Sequence, residues 1–210
     1  MKALGALQGV LASLYRVELP YEVGDFVRPL GPDDPDAHRD EVVLVAEEGD
    51  DAGVAVCIAP RVMDALAGRE GTSLSRFDAW CAAVEGVSHF MLLAWRAEHA
   101  RPVSQLDLEL QADVDKYALG VLQRATGRAP GEARRSSMLL RRALFDRAHF
   151  RDARDTPRGQ RYRYAHRLAA RYTASLERRH VSSGRLGRMV EELRDFYRSA
   201  AATRYEMAAR

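Results

Sequence analysis

The sequence predicts an α+β protein that is predominantly α-helical, with five or six packed helices and a small β-hairpin near residues 42–59. Three observations indicate this fold. The composition, 47% hydrophobic and 30% charged over 210 residues, is that of a chain with a sizeable core. Two β-rich runs, Val42–Ala46 and Val54–Ala59, flank a turn that contains Gly-Asp-Asp. From Arg61 onward the apolar residues follow a helical period.

The N-terminal stretch predicts an amphipathic helix. Leu4, Leu7, Leu11 and Leu14 recur at a spacing of three and four residues, which places them on one helical face. The favoured interpretation is that this helix packs on the core of the protein. The alternatives are that it forms a dimer interface or that it is an export signal. Extended chain is predicted over 15–27, followed by the proline-punctuated loop 31–40.

Start signals define the later helices. Ser75 and Ser104 each precede a carboxylate by three residues, as in a capping box, and Thr156-Pro157 places a proline at the first helical position. The predicted helices are 76–99, 104–125, 136–150, 158–180 and 184–207. On the last of them an apolar stripe that includes Met189 and Phe196 predicts a core-facing side.

The length suits a single domain, 1–210, in which an α/β subregion 1–70 and a helical subregion 71–210 can be distinguished. The only cysteines, Cys57 and Cys81, lie in apolar surroundings without metal-ligand spacing, which argues against a disulfide framework and favours a cytoplasmic location. No run approaches the roughly 18 apolar residues of a membrane span. The motifs of common hydrolases, nucleotide enzymes and zinc proteases are absent, and no cofactor is predicted.

Charge is distributed unevenly along the chain. Residues 1–123 hold 10 basic and 21 acidic side chains, whereas residues 124–188 hold 18 arginines and 5 acids. Such a basic segment favours an anionic partner, either nucleic acid or an acidic protein surface. The alternative is that these arginines are solvated or paired within the chain. The candidate anion-binding residues are Arg134, Arg135, Arg141, Arg142, Arg161 and Arg163.

Tyrosines interleave with the arginines at 161–164, where they could stack on unpaired bases. Against this, Tyr164, Leu168 and Tyr172 recur every four residues, which is a core spacing on a helix. The tyrosines therefore have two interpretations, a stacking surface and a buried face.

The stretch VEGVSHFMLLAW, residues 84–95, predicts a helix that is apolar nearly all round, with Glu85 and His89 on one thin polar line. In an antiparallel pair of helices, Asp113 comes opposite His89. Glu85, His89 and Asp113 are therefore candidates for a metal or acid/base site. A structural hydrogen-bond cluster is the favoured alternative.

Three functional hypotheses follow. The leading one is a non-catalytic binding or adaptor domain that uses the Arg-rich region 124–188. The second is a helical enzyme built on Glu85, His89 and Asp113, and the third is a structural subunit of a homo-oligomer.

Overall fold

A computed structural model describes residues 1–48, 51–69, 75–148 and 150–209, and in these residues the protein is α+β and mostly helical, as predicted. The eight α-helices found there are α1 (Lys2–Tyr15), α2 (Pro60–Leu66), α3 (Arg76–Glu98), α4 (Gln105–Ala125), α5 (Pro130–Arg141), α6 (Pro157–Arg179), α7 (Leu186–Arg198) and α8 (Ala201–Ala209). Three strands, β1 (Val27–Pro29), β2 (Glu41–Glu48) and β3 (Asp51–Ile58), form a mixed sheet in the order β1-β3-β2.

The predicted hairpin is confirmed. β2 and β3 pair antiparallel, with Val43 opposite Val56, and β1 pairs parallel to β3, with Val27 opposite the same residue. β1 was not predicted, because a strand of three residues is too short to show an alternating pattern. A 3₁₀ turn, Val23–Phe26, precedes it where extended chain was expected.

Two predicted helices differ from those in the structure. α5 begins at Pro130, earlier than the predicted start at residue 136, because the first turn of a helix does not need the N–H that proline lacks. α5 runs into a π-helical turn at Arg142–Asp146. The predicted helix 184–207 is interrupted after Arg198, where Ser199 adopts an extended conformation and caps the preceding turn through its hydroxyl.

The chain divides into two compact units, one of residues 1–13 and 17–102 and the other of residues 14–16 and 103–210. We call them the first unit and the second unit. The boundary follows Pro102, so α3 belongs with the sheet. In the first unit the Cα of Gly86 faces Val56 and Ile58, and a Cβ there would lie 3.1 and 3.2 Å from their methyl groups. A glycine at this position lets α3 approach the sheet closely.

The core of the second unit is formed by α4 and the helices that follow it. Leu110, Val114 and Tyr117 of α4 are buried, and Tyr172 of α6 stacks on Phe196 of α7 with ring centroids 4.4 Å apart. The predicted core side of the last helix is confirmed by the buried side chains Met189, Leu193, Phe196 and Tyr197. Of the N-terminal leucines, Leu4 and Leu11 are buried in the first unit and Leu14 in the second, which supports the interpretation of α1 as a core-facing helix.

Candidate anion-binding surface

Three of the predicted arginines lie on the outer face of α5 and its π-helical extension. Arg134, Arg135 and Arg142 are exposed and form no ion pair within the described residues. The opposite face of the helix buries Ala133 and Leu140. The packing of α5 therefore turns these three guanidinium groups toward solvent.

Arg141 faces inward, unlike its three neighbours. Its guanidinium lies 3.8 Å from the carboxylate of Glu177 and donates a hydrogen bond of 3.4 Å to the carbonyl of Ala170. Glu177 also accepts a hydrogen bond of 2.6 Å from Ser137, whose hydroxyl lies 2.8 Å from that of Tyr117. Arg141 thus belongs to a mostly buried polar network that joins α4, α5 and α6.

Arg161 and Arg163 are half-buried, each against an aromatic ring. Arg163 donates a hydrogen bond of 3.0 Å to the carbonyl of Asp152, and its guanidinium carbon lies 4.7 Å from the ring centroid of Phe150. The corresponding distance from Arg161 to Tyr162 is 5.8 Å. Arg163 therefore fixes the loop before α6.

The structure exposes a second set of side chains that the sequence analysis did not select. Gln160, Tyr164, Arg167, Arg171 and Arg178 fall within about 60° of one another on α6 at 100° per residue. All five are exposed. We call them the α6 stripe. Their spacing of three, four and seven residues is that of one helical face and could have indicated this surface from the sequence. The sequence analysis selected the adjacent arginines at 134–135 and 141–142 instead.

Tyr164 is not a core residue, contrary to one interpretation of its spacing. Leu168 and Tyr172 are buried, whereas Tyr164 is 45% exposed. A spacing of four residues advances about 40° around a helix at each step. Tyr164 therefore lies about 80° from Tyr172, far enough to leave the buried face.

Other arginines of the segment 124–188 are neutralised locally. Arg179 makes a bidentate ion pair with Glu192, which also accepts a hydrogen bond of 2.8 Å from His180. Arg188 pairs with Glu191 at 3.0 Å. Burial alone would raise the pKa of Glu192, but the hydrogen bonds and charges of Arg179 and His180 lower it below its usual range. The basic segment therefore includes both paired and solvated arginines.

Asp113 lies in the second unit, where it contacts His166 and Lys116. Its carboxylate is 3.0 Å from Nδ1 of His166 and 3.1 Å from the Lys116 ammonium. Nε2 of His166 lies 3.2 Å from the carbonyl of Phe145, so both ring nitrogens face acceptors. This geometry suits an imidazolium that donates two hydrogen bonds.

The pKa values of this pair shift in opposite directions. Burial would raise the pKa of Asp113, but the charges of Lys116 and His166 and their hydrogen bonds lower it to about 2. Burial would lower the pKa of His166, but its hydrogen bond to Asp113, the charge of that carboxylate and the Phe145 carbonyl raise it. The pair therefore favours its charged form.

Glu85 and His89 lie on α3 of the first unit. The ring of His89 is buried, with Nδ1 3.5 Å from the carboxylate of Glu41 on β2. Sequence reasoning missed Glu41, because nothing in the linear pattern relates the start of a strand to the middle of a helix. A shared metal or acid/base site of Glu85, His89 and Asp113 stays a prediction.

Across the described part of the chain, no helix has the long, nearly uncharged apolar stretch that crossing a bilayer requires.

Comparison with known proteins does not assign the chain to a family. No protein family model matches the sequence, and no curated protein or solved structure is significantly similar to it.

Proposed function

We propose that the protein is a binding module whose second unit engages an anionic macromolecule through exposed arginines. The observation that carries the proposal is the exposure of Arg134, Arg135 and Arg142, on α5 and the π-helical turn that follows it, without an ion pair among the described residues. An exposed guanidinium can donate charge-assisted, bidentate hydrogen bonds to a carboxylate or a phosphate, so these three groups are available to an external anion.

The charge of the two units supports this proposal. The second unit holds 24 basic and 13 acidic residues, whereas the first unit holds 8 basic and 17 acidic residues. Residues 156–188 contain a single acid, Glu177, and it is buried. α6 therefore carries no exposed carboxylate of its own, although Arg179 at its end pairs with Glu192. A surface with an excess of one charge steers oppositely charged partners toward it.

Nucleic acid and an acidic protein segment are the two partner classes that fit. Exposed apolar side chains, Met138 and Leu139, lie among the α5 arginines and favour a protein partner at that helix. The aromatic ring on the α6 stripe favours nucleic acid.

The test is binding of polyanions at low ionic strength, at about 10 mM salt where screening is weak. Heparin, polyglutamate and an oligo(dT) strand serve as probes in fluorescence anisotropy. The variant Arg134→Gln/Arg135→Gln/Arg142→Gln should bind at least one of them more weakly. Because fewer counterions are released, the slope of log K against log salt should fall by about 2 for a single-stranded probe.

A matched control removes the same formal charge from the first unit, as Lys2→Gln/Arg69→Gln/Arg76→Gln. All three of these side chains are exposed. The control should bind like the wild type. Absence of binding to all three probes at low salt would overturn the proposed function.

A further inference from the structure

We propose that the α6 stripe is a binding line for single-stranded nucleic acid, with Tyr164 as the platform on which a base stacks. The inference rests on the proposed function and assigns it a partner class and a contact surface. Arg167, Arg171 and Arg178 supply the phosphate contacts.

The geometry of α6 makes the stripe a continuous line. From Gln160 to Arg178 it extends about 27 Å at 1.5 Å per residue. Arg167 and Arg171 are about 6 Å apart along the axis, and Arg178 lies about 10 Å further on. A single strand lying along this face could therefore meet three guanidinium groups in succession.

Tyr164 lies near the N-terminal end of this line, where its side chain is open to solvent. Tyr164 is 45% exposed, and the guanidinium carbon of Arg167 lies 5.7 Å from the centroid of its ring. That cation–π contact orients the ring and keeps an arginine beside it. An aromatic ring next to a guanidinium offers a base a stacking surface and offers its phosphate a charge.

The burial of the flanking residues favours a single strand over a duplex. Beside the stripe, Arg161 and Arg163 are half-buried, and Leu168 and Ser175 are buried. Within α6, only Pro157 and Arg179 are exposed in addition to the stripe. A helix that reads the major groove must project into a channel about 12 Å wide, which a helix embedded this far cannot do. The bases of a duplex are also stacked inside it, out of reach of Tyr164.

An acidic protein segment fits the stripe less well. Along the stripe the side chain with the largest apolar surface is Tyr164, near one end, and the remaining four are polar or charged. A protein interface of ordinary affinity needs a desolvated apolar centre. The exposed apolar residues Met138 and Leu139 lie on α5, outside the stripe.

The experiment compares two fluorescein-labelled strands of about 15 nucleotides, oligo(dT) and a fully abasic strand with the same phosphodiester charge. Wild-type protein should bind oligo(dT) about 5- to 150-fold more tightly than the abasic strand, because only the former can stack. Tyr164→Ala should lose this preference and bind both strands like the abasic one. Tyr164→Phe, which keeps the ring, should retain the preference.

The arginines are tested with Arg167→Gln/Arg171→Gln/Arg178→Gln. This variant should bind both strands more weakly. The slope of log K against log salt should fall by about 2, because three phosphate contacts are lost. The control is again Lys2→Gln/Arg69→Gln/Arg76→Gln. Far-UV circular dichroism checks that every variant is folded.

The outcomes separate this inference from the proposed function. If the protein binds heparin but does not distinguish oligo(dT) from the abasic strand, the proposed function holds and this inference is overturned. Tighter binding to a duplex or to polyglutamate than to oligo(dT) also overturns it. So does an affinity for oligo(dT) in the α6 arginine variant that equals the wild-type affinity. If no polyanion binds, both proposals fail.

Discussion

α3 and α4 begin with the same local pattern, and the structure gives the two patterns different roles. At α3, the hydroxyl of Ser75 accepts a hydrogen bond of 3.1 Å from the backbone of Asp78, and both residues are exposed. At α4, Ser104 and Asp107 complete a reciprocal capping box, and Asp107 is also buried against Arg204. The same four-residue pattern therefore caps a helix in one unit and also anchors a buried ion pair in the other.

Arg204 explains the difference. Its side chain is fully buried in the second unit, where it pairs with Asp107 at 3.1 Å and donates a hydrogen bond of 2.6 Å to Gln111. Gln111 in turn donates hydrogen bonds to the Tyr15 hydroxyl and to the carboxylate of Asp115, at 3.0 and 2.8 Å. The cap of α4 thus belongs to a polar network that reaches α8, whereas the cap of α3 acts locally.

The largest expected effect comes from Arg204→Met, which removes one partner of the buried pair. The carboxylate of Asp107 would then be buried without its counter-charge, at a cost of about 3–5 kcal/mol. Urea unfolding measures the change in the free energy of unfolding. Arg76→Met, at the exposed start of α3, serves as the control. A loss below about 1 kcal/mol in Arg204→Met would show that the network tolerates an unpaired carboxylate.

An intermediate and pH-dependent effect is expected from His166→Gln. The pKa of His166 is raised, so the pair stabilises the fold fully below the ordinary histidine value of 6.5 and less as pH rises through the raised value. The pKa of Asp113 is lowered to about 2, so its contribution is present above 3.8 and is lost as pH falls toward 2. The contribution of the pair is therefore greatest between pH 3.8 and 6.5.

Urea unfolding of the wild type and His166→Gln as a function of pH tests this prediction. In that window the wild type should be more stable by about 1.5–3 kcal/mol, the usual range for a hydrogen bond to a charged group. The difference should shrink in alkaline buffer. A difference that does not change with pH would mean that His166 acts through packing against Phe145 and Phe150 alone.

The smallest effect is expected at the cap of α3. Asp78→Asn keeps the size of the side chain and removes an exposed charge near the helix N-terminus, for a cost of about 0.3–1 kcal/mol. Asp107→Asn, the equivalent change at α4, should cost several times more because it leaves Arg204 buried without a carboxylate. Equal losses of unfolding free energy in the two variants would contradict the distinction between the caps.

The contrast between a local cap and a buried ion pair also separates the features that the sequence predicts from those that it does not. Caps and hairpins depend on residues close in sequence, so the start signals at Ser75, Ser104 and Thr156 and the pairing of β2 with β3 were predicted and are confirmed. The partners of buried charges lie far away in sequence. Nothing in the pattern around Asp107 or Asp113 indicates Arg204 or His166.

The candidate surface shows the same division. The sequence by itself determined that the chain is mostly helical and that its basic charge is concentrated in residues 124–188, because composition and periodicity are properties of the chain. Only the tertiary structure decided which arginines reach solvent. Packing of α5 turned Arg141 inward toward Glu177, and packing of α6 left Arg167 and Arg171 outside. Whether an arginine is exposed depends on which side of its helix faces the core, and the packing of the neighbouring helices determines that side.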